Sequence, residues 1–362
     1  MGRFKTLPIK YKFLITIIFI IFIVIWTFVG FVVGRKSVPV TKEKIRIGSL
    51  INEDNFPQVA DFPNPINGML YTAQEANAWK DRLPLAVIIE NHTDARPQTG
   101  LGQAEVVYEA LAEGGITRFL AIFLSQDTEL GPVRSNRAYF LDWVSEYSAG
   151  YAHVGGSPEA QQLVHTYNIK DLDQFYIGAP TYERSSARPS PHNVYTSTQK
   201  LRGVAAIKGF NGPVVIDSWQ FSDSQARLEN RPDKFNLNLG FLGTWGYDVS
   251  WIYQKSTNTY LRVNGGGNHI DTVGNKQLET KNIIVQIVKV NPDPSGHGRI
   301  RIDTVSTGKA ILFKDGVAVL GTWKKNSRTS RTRFYDDKGQ EMLINRGSIW
   351  VEVVPDSSPI SY

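Results

Sequence analysis

The distribution of apolar residues divides the chain into an N-terminal apolar run, a polar connection and a patterned body. Residues 13–33 form an uncharged run of 21 residues, and at about 1.5 Å per residue a helix of this length spans a hydrocarbon core of about 30 Å. A cleaved signal peptide has a shorter apolar region that ends in small residues, whereas this run ends in Phe31, Val32 and Val33. The pattern predicts a transmembrane anchor at 13–33 behind a tail of residues 1–12.

The next segment, residues 34–80, is rich in Asn and Pro and has no sustained hydrophobic period, which is typical of a linker. From residue 83 onward, apolar runs alternate with amphipathic segments. They predict a strand in "LPLAVIIEN", a strand pair around Gly114-Gly115, a helix over 136–147 with Ser135 as its N-cap, a strand in "GYAHVGG", and helices near 158–168 and 198–207. Alternating strands and helices favour a three-layer α/β domain over residues 81–209.

After residue 209 the pattern changes to short strand-like runs separated by Gly, Asn and Asp, among them "YDVSWIYQ", "NIIVQIVKV" and "SIWVEVVP". This part predicts a β-rich domain over residues 210–362. The predicted fold class is therefore an α/β domain followed by a β-rich domain, behind a single N-terminal transmembrane helix.

Charge is unevenly distributed along the chain. The net charge is +6, but residues 1–46 alone carry +8, so the remainder carries −2. A nearly neutral body lacks the basic footprint of a nucleic-acid-binding protein, and we expect no nucleic-acid partner. The chain has no cysteine, which excludes disulfides, thiolate metal sites and a cysteine nucleophile.

Positive residues flank the apolar run on both sides, so charge bias alone does not orient it. A short basic tail and a long C-terminal body favour a cytoplasmic N-terminus. We therefore expect a single-pass protein of the cell membrane with its body outside the cytoplasm.

Four arginines are the main candidates for binding: Arg96, Arg118, Arg134 and Arg137. Each lies in or beside a predicted turn, and in α/β folds ligands collect in loops beyond the strand ends. Guanidinium groups suit bidentate recognition of phosphate or carboxylate. An internal ion-pair network is the alternative, because several glutamates are available as partners.

Two histidines and a serine complete the candidate site. His153 precedes the Gly-Gly-Ser turn in which Ser157 would begin a helix, and helix N-termini favour anions. His192 lies in the loop "SPHN". Each histidine could act as a base or simply as a hydrogen-bonded structural residue.

Known catalytic motifs are missing from the chain, including the P-loop, HExxH and GxSxG. The sequence therefore identifies no catalytic residue, no cofactor and no metal-ligand spacing, and whether the protein is an enzyme stays open. The basic run "KKNSRTSRTR" at 324–333 is interpreted as a solvated hairpin, with attraction to anionic lipids or wall polymers as the alternative.

Several of these motifs occur together in one known family. The runs "AVIIENHTDARPQTGLGQAEVVYEALAEGGITRFLAIF", "GPVRSNRAYF", "AHVGGSPEA", "PHNVYTS" and "FYDDKGQEMLINRGSIWVEVVP" resemble the YerB-like family of bacterial surface lipoproteins. The resemblance covers about residue 70 to the C-terminus. It implies a membrane-attached, extracytoplasmic protein of mainly Gram-positive bacteria, with a domain of unknown function and no accepted catalytic residues. A lipoprotein needs an N-terminal cysteine, which this chain lacks, so the apolar run would replace the lipid anchor.

Three classes of function remain open. The first is binding of an anionic cell-envelope ligand or of cell-envelope proteins through an arginine-lined pocket. The second is an envelope enzyme acting on a phosphate-bearing, polyprenyl-linked substrate, by weak analogy with the LytR-Cps2A-Psr transferases. The third is a structural stalk whose arginines are all paired internally.

Overall fold

A ten-stranded mixed sheet runs through the part of the chain that the computed structural model describes, residues 59–241 and 246–362. The predicted anchor at residues 13–33 lies outside these residues. In order across the sheet, the strands are Arg333–Asp336, Val317–Lys324, Thr307–Lys314, Asn282–Val288, Ile349–Pro355, Val106–Leu111, Thr117–Phe123, Leu85–Glu90, Gly150–His153 and Lys170–Asp173.

The middle of this sheet joins two distant parts of the sequence. Strand Ile349–Pro355 pairs in parallel with Asn282–Val288 on one side and with Val106–Leu111 on the other. All seven of its residues are buried, as are all six of Val106–Leu111. Burial along a whole strand is typical of strands covered on both faces, and here it includes one glutamate in each strand, Glu109 and Glu352.

Different elements cover the two faces of the sheet. One core contains Leu201 and Ala205 of helix Thr198–Ile207 together with Trp251 and Tyr260 of a second sheet. The opposite core contains residues of helices Phe140–Glu146 and Pro158–Thr166. The second sheet consists of Gly267–Asn268, Thr259–Asn264, Val249–Gln254, Asn236–Leu239 and Ile360–Ser361, with Glu279–Thr280 paired to Thr259–Asn264.

The remaining elements are short. The helices are Ala73–Ala76 and Gln174–Ile177, and the 3₁₀ turns are Thr93–Ala95, Leu101–Gln103, Glu113–Gly115 and Leu228–Asn230. The small strand pairs are Phe62–Pro63 with Leu70–Tyr71, Phe221–Ser222 with Ile344–Asn345, Ile270–Asp271 with Lys276–Gln277, and Val290–Pro292 with Ile300–Ile302. Strand Val194–Ser197 lies between Glu129–Leu130 and Glu183–Arg184.

The predicted fold class, an α/β domain followed by a β-rich domain, is wrong for the described residues, and the transmembrane helix predicted in front of them lies outside those residues. The described residues are mainly β, and their longest helix, Thr198–Ile207, has ten residues. The alternation of strands and helices was a misleading signal, because a second sheet covers much of the face where a third layer of helices was expected. Within 59–241 and 246–362, no helix has the length and apolar character needed to cross a membrane.

The folded body begins earlier than the predicted linker end at residue 80. Ile66 and Trp79 are buried in the core, and Asn64 donates a hydrogen bond to Glu105 Oε1 at 3.3 Å. Residues 59–80 therefore belong to the body. The predicted boundary at residues 209 and 210 stays a prediction, although strands from both sides of it share the central sheet.

Candidate functional site

The segment that carries Arg134 and Arg137 is extended, and the predicted helix begins only at Phe140. The backbone N–H of Arg134 donates to Ile88 O at 2.9 Å, and that of Asn136 donates to Gly155 O at 2.9 Å. The carbonyls that a helix from residue 136 would use also have tertiary partners, since Ser135 O accepts from Arg118 NH1 at 3.1 Å and Asn136 O accepts from the N–H of Ser157 at 3.3 Å. Ser135 is therefore not an N-cap. Residues three apart on an extended chain point to opposite sides, and the two arginines accordingly contact different acids.

Arg137 shares the carboxylate of Glu113 with Arg118. Arg137 Nε donates to Glu113 Oε2 at 2.8 Å, and Arg118 NH2 donates to Glu113 Oε1 at 2.7 Å. Burial by itself would raise the pKa of Glu113, but the two guanidinium groups lower it to about 2. Burial lowers the pKa of Arg118, and Arg137 lowers it further. One carboxylate thus compensates two cations.

Arg134 belongs to a second group, which is centred on Glu90. Arg134 Nε donates to Glu90 Oε1 at 2.9 Å, and His192 Nδ1 lies 3.0 Å from the same oxygen. The His192 ring is turned away from good hydrogen-bond geometry, and Glu90 Oε2 is buried without a hydrogen-bond partner among the described residues. The His92 ring stacks on that of His192 with centroids 4.5 Å apart.

Arg96 contacts backbone and amide oxygens and no carboxylate of the described residues. Its guanidinium donates to Asn91 O, to Asn91 Oδ1 at 3.1 Å and to Gly246 O at 2.8 Å. It also lies 5.0 Å from the ring centre of Tyr247. Burial lowers the pKa of Arg96. These contacts hold two loops together, so the geometry gives Arg96 a structural role.

His153 is fully buried and has partners for both ring nitrogens. Nδ1 lies 2.9 Å from Gly155 O, and Nε2 lies 3.1 Å from Asp171 Oδ1. Ser157 is the N-cap of helix Pro158–Thr166, and its hydroxyl accepts from the N–H of Ala160 at 3.3 Å. His153 therefore orders the turn, whereas Ser157 reaches a cavity.

That cavity has a volume of about 570 Å³ and lies beside the Glu113 group. Its walls come from two separate parts of the sequence, residues 137–159 and residues 293–301. Its polar and charged lining residues are Arg137, Tyr139, Ser157, Glu159, Asp293, Ser295, Arg299 and Arg301. Arg301 pairs with Asp293 at 3.0 Å and with Glu159 at 3.9 Å. Among the described residues, Arg299 has no ion-pair partner and donates only to Ser295 Oγ at 3.2 Å.

The structure thus separates the predicted site residues into groups. Arg118, Arg137 and Ser157 lie at or behind the cavity. Arg134 and His192 meet at Glu90. Arg96 and His153 contact neither Glu90 nor Glu113. Arg299 and Arg301 were missed by the sequence analysis, because their only sequence signal is that they follow the turn "NPDPSGHG".

The sequence analysis also missed a buried charge network at the centre of the body. Arg262 is inaccessible to solvent, is hydrogen-bonded to Glu109, and lies 3.9 Å from Glu352. Its guanidinium carbon lies 4.7 Å from the ring centre of Trp350 and 5.4 Å from that of Trp251. Burial and the nearby Glu109 raise the pKa of Glu352 well above its usual range, which leaves one carboxylate to balance one guanidinium. The network links strand Thr259–Asn264 of the second sheet to two strands of the central sheet.

The comparisons with known proteins agree with one another. Residues 71–211 match the family model described as "Protein of unknown function (DUF3048) N-terminal domain", and residues 241–351 match the corresponding C-terminal domain. "Putative lipoprotein YerB" of Bacillus subtilis (strain 168) is 32% identical over 299 residues, which cover 81% of this chain and 86% of the relative. The crystal structure of YerB from Bacillus subtilis superimposes with a TM-score of 0.73 at 30% identity, covering 83% of this chain and 99% of that one. The chain therefore belongs to the DUF3048 family of proteins of unknown function, as a relative of YerB.

Proposed function

We propose that the protein binds a phosphate-bearing anionic ligand of the cell envelope in the cavity between residues 137–159 and 293–301. One observation carries this proposal: the single carboxylate of Glu113 is shared by Arg118 and Arg137 at the cavity wall. Two guanidinium groups against one acid leave an excess positive charge in a place where burial already disfavours it. An anion in the cavity would compensate that charge.

The rest of the lining supports an anion as well. Taken together, the Glu113 group and the cavity lining hold four arginines and three carboxylates, which leaves one positive charge in excess. The N-terminus of helix Pro158–Thr166 also faces it through Ser157 and Pro158, and the first turn of a helix attracts negative charge. A volume of about 570 Å³ suits a head group such as a pyrophosphate or a sugar phosphate.

Arg299 offers the sharpest test, because its removal breaks no ion pair within the described residues. We expect pyrophosphate to raise the melting temperature of the wild type and to bind Arg299→Ala at least about tenfold more weakly, since a hydrogen bond to a charged group contributes about 1.5–3 kcal/mol. Titration calorimetry and thermal melts measure both effects.

The matched control for this test is Arg227→Ala. Arg227 is exposed and does not line the cavity, so its replacement should leave pyrophosphate binding unchanged. Equally weak pyrophosphate binding in both variants would mean that the net charge of the protein, rather than contact with Arg299, determines the affinity. A wild type that no phosphate-bearing anion stabilises would exclude the proposal.

We further propose that the apolar segment 13–33 holds the body at the outer face of the cell membrane. The support is the uncharged 21-residue run and the printed name of the relative, "Putative lipoprotein YerB". External protease added to intact protoplasts should then remove the body. Full protection of the body, with cytoplasmic marker proteins intact, would contradict this location.

A further inference from the structure

Two histidines and an aspartate meet beside the Glu90 group, away from the residues that line the cavity. His92 and Asp94 lie at the 3₁₀ turn that follows strand Leu85–Glu90, and His192 lies in the loop before strand Val194–Ser197. One potential ligand atom from each of the three side chains lies within 4.8 Å of the other two. We propose that His92, Asp94 and His192 form a binding site for a divalent transition-metal ion, of which zinc is the first to test.

The ligand types favour this class of ion. Imidazole nitrogens suit zinc, copper, iron and nickel, whereas calcium and magnesium prefer oxygen ligands. Two histidines with one carboxylate leave a tetrahedral ion one open position for water or a substrate. The sequence showed no such spacing, because the third ligand lies about a hundred residues after the first two.

His92 and Asp94 already lie close to the separation that one ion requires. His92 Nδ1 is 3.7 Å from Asp94 Oδ2, and two ligands of a tetrahedral zinc ion with bonds of about 2.1 Å lie about 3.4 Å apart. In the described conformation His92 Nδ1 accepts the backbone N–H of Asp94 at 3.2 Å. A metal ion at His92 would bind the Nδ1 lone pair that now accepts the Asp94 N–H.

Glu90 prepares His192 for the same ion. His192 Nδ1 is 3.0 Å from Glu90 Oε1, so a proton on Nδ1 would face the carboxylate and leave the Nε2 lone pair for the metal. Carboxylates in contact with the second ring nitrogen commonly orient metal-binding histidines. Glu90 Oε2 is buried and has no hydrogen-bond partner among the described residues. A small turn of the His192 ring would therefore bring Nδ1 into hydrogen-bond geometry with the Glu90 carboxylate.

One adjustment is needed for all three ligands to converge. The two imidazole rings stack with an angle of 21° between their planes, which makes their lone pairs nearly parallel. At least one ring must turn about its Cβ–Cγ bond, a torsion with a broad energy minimum. The charges permit a cation, because Asp94 and Glu90 together with Arg134, which pairs with Glu90, leave one negative charge beside the two histidines.

The test is a zinc titration of the purified, untagged full-length chain against a chromophoric chelator. We expect one zinc ion per chain, a higher melting temperature with zinc, and binding at least about tenfold weaker in His92→Gln, His192→Gln and Asp94→Asn. The control is His165→Gln, since His165 is exposed on helix Pro158–Thr166 and lies outside the cluster. It should bind zinc like the wild type.

Two results would overturn the proposal. The first is equal zinc affinity in the three ligand variants and in the control. The second is a wild type that shows no zinc-dependent change in melting temperature at millimolar zinc. If His192→Gln proves unstable, the exposed Asp94 and the half-buried His92 still decide the question, because their variants alter side chains near the surface.

Discussion

At the scale of single residues, Glu113 is the group on which two buried or half-buried arginines depend. Its pKa is about 2 in the folded protein, against an ordinary value of 4.5. A carboxylate whose pKa is lower in the folded state stabilises the protein above its unfolded pKa, and this contribution is lost as the pH falls through the folded value.

The first prediction concerns acid stability. Lowering the pH from about 5 to 2 should remove about 2 kcal/mol of unfolding free energy through Glu113, after allowing for its partial exposure. Urea unfolding at several pH values should show this loss in the wild type and a shallower loss in Glu113→Gln. The exposed Glu229 provides the control, and a wild-type slope in Glu113→Gln would contradict the assignment.

The second prediction compares removal of the acid of the Glu113 group with removal of one of its arginines. Glu113→Gln leaves Arg118, which is 4% exposed, without a compensating charge and should destabilise the protein by about 3–5 kcal/mol. Arg137→Ala leaves the Glu113–Arg118 pair intact and relieves repulsion between the guanidinium groups, so it should cost only about 1 kcal/mol. Chemical denaturation of both variants measures the difference, and equal losses would argue against a shared carboxylate.

At the scale of elements, the basic run at 324–333 shows how a tertiary partner changes the meaning of a local pattern. The interpretation as a solvated hairpin fails for its buried residues. Lys325 donates to Glu146 Oε1 at 2.6 Å, and Arg331 NH1 lies 3.3 Å from Glu146 Oε2. Arg331 also stacks over Trp219 at 3.7 Å. The run therefore fastens a loop to the end of helix Phe140–Glu146.

The third prediction follows from this anchor. Glu146→Gln should destabilise the protein by about 3–5 kcal/mol, because Lys325 and Arg331 would remain buried without their acid. Lys324→Ala, at the exposed neighbouring position, should change stability by less than about 0.5 kcal/mol. Urea unfolding at low and at high salt measures the stability of both variants. Equal stability of Glu146→Gln and Lys324→Ala would contradict a buried ion pair at Glu146.

The elements that the sequence predicted well are those whose signals are local. Helix Thr198–Ile207 has the predicted bounds, since Ser197 caps it by accepting from Lys200 N–H at 3.2 Å. The strands on either side of Gly114-Gly115 also form as predicted. The start of helix Phe140–Glu146 was missed because it depends on Ile88 and Gly155, which lie elsewhere in the sequence. For the same reason, the sequence indicated Arg118, Arg134 and Arg137 as candidate binding residues but did not show which glutamates they would contact.

At the scale of the whole molecule, the ten-stranded sheet determines which parts of the chain can fold independently. The N-terminal part supplies five strands and the C-terminal part five, and they meet where Val106–Leu111 pairs with Ile349–Pro355. Separating them would expose a long apolar edge on each, which favours aggregation.

The fourth prediction tests this dependence. A fragment of residues 59–211 should show no cooperative thermal melt, and a fragment of residues 212–362 should show none either, whereas residues 59–362 should melt in one transition. Circular dichroism and size-exclusion chromatography distinguish these outcomes. Two independently melting fragments would show instead that the predicted boundary near residue 209 separates autonomous domains.

The place of strand Ile349–Pro355 also bears on the order of events during synthesis. This strand is made long after its neighbour Val106–Leu111, and it supplies the parallel partner between the two halves of the sheet. The ribosome must therefore finish almost the entire body before its central hydrogen-bond ladder can close. A premature stop codon before residue 349 therefore leaves a product without the strand that joins the two halves of the central sheet.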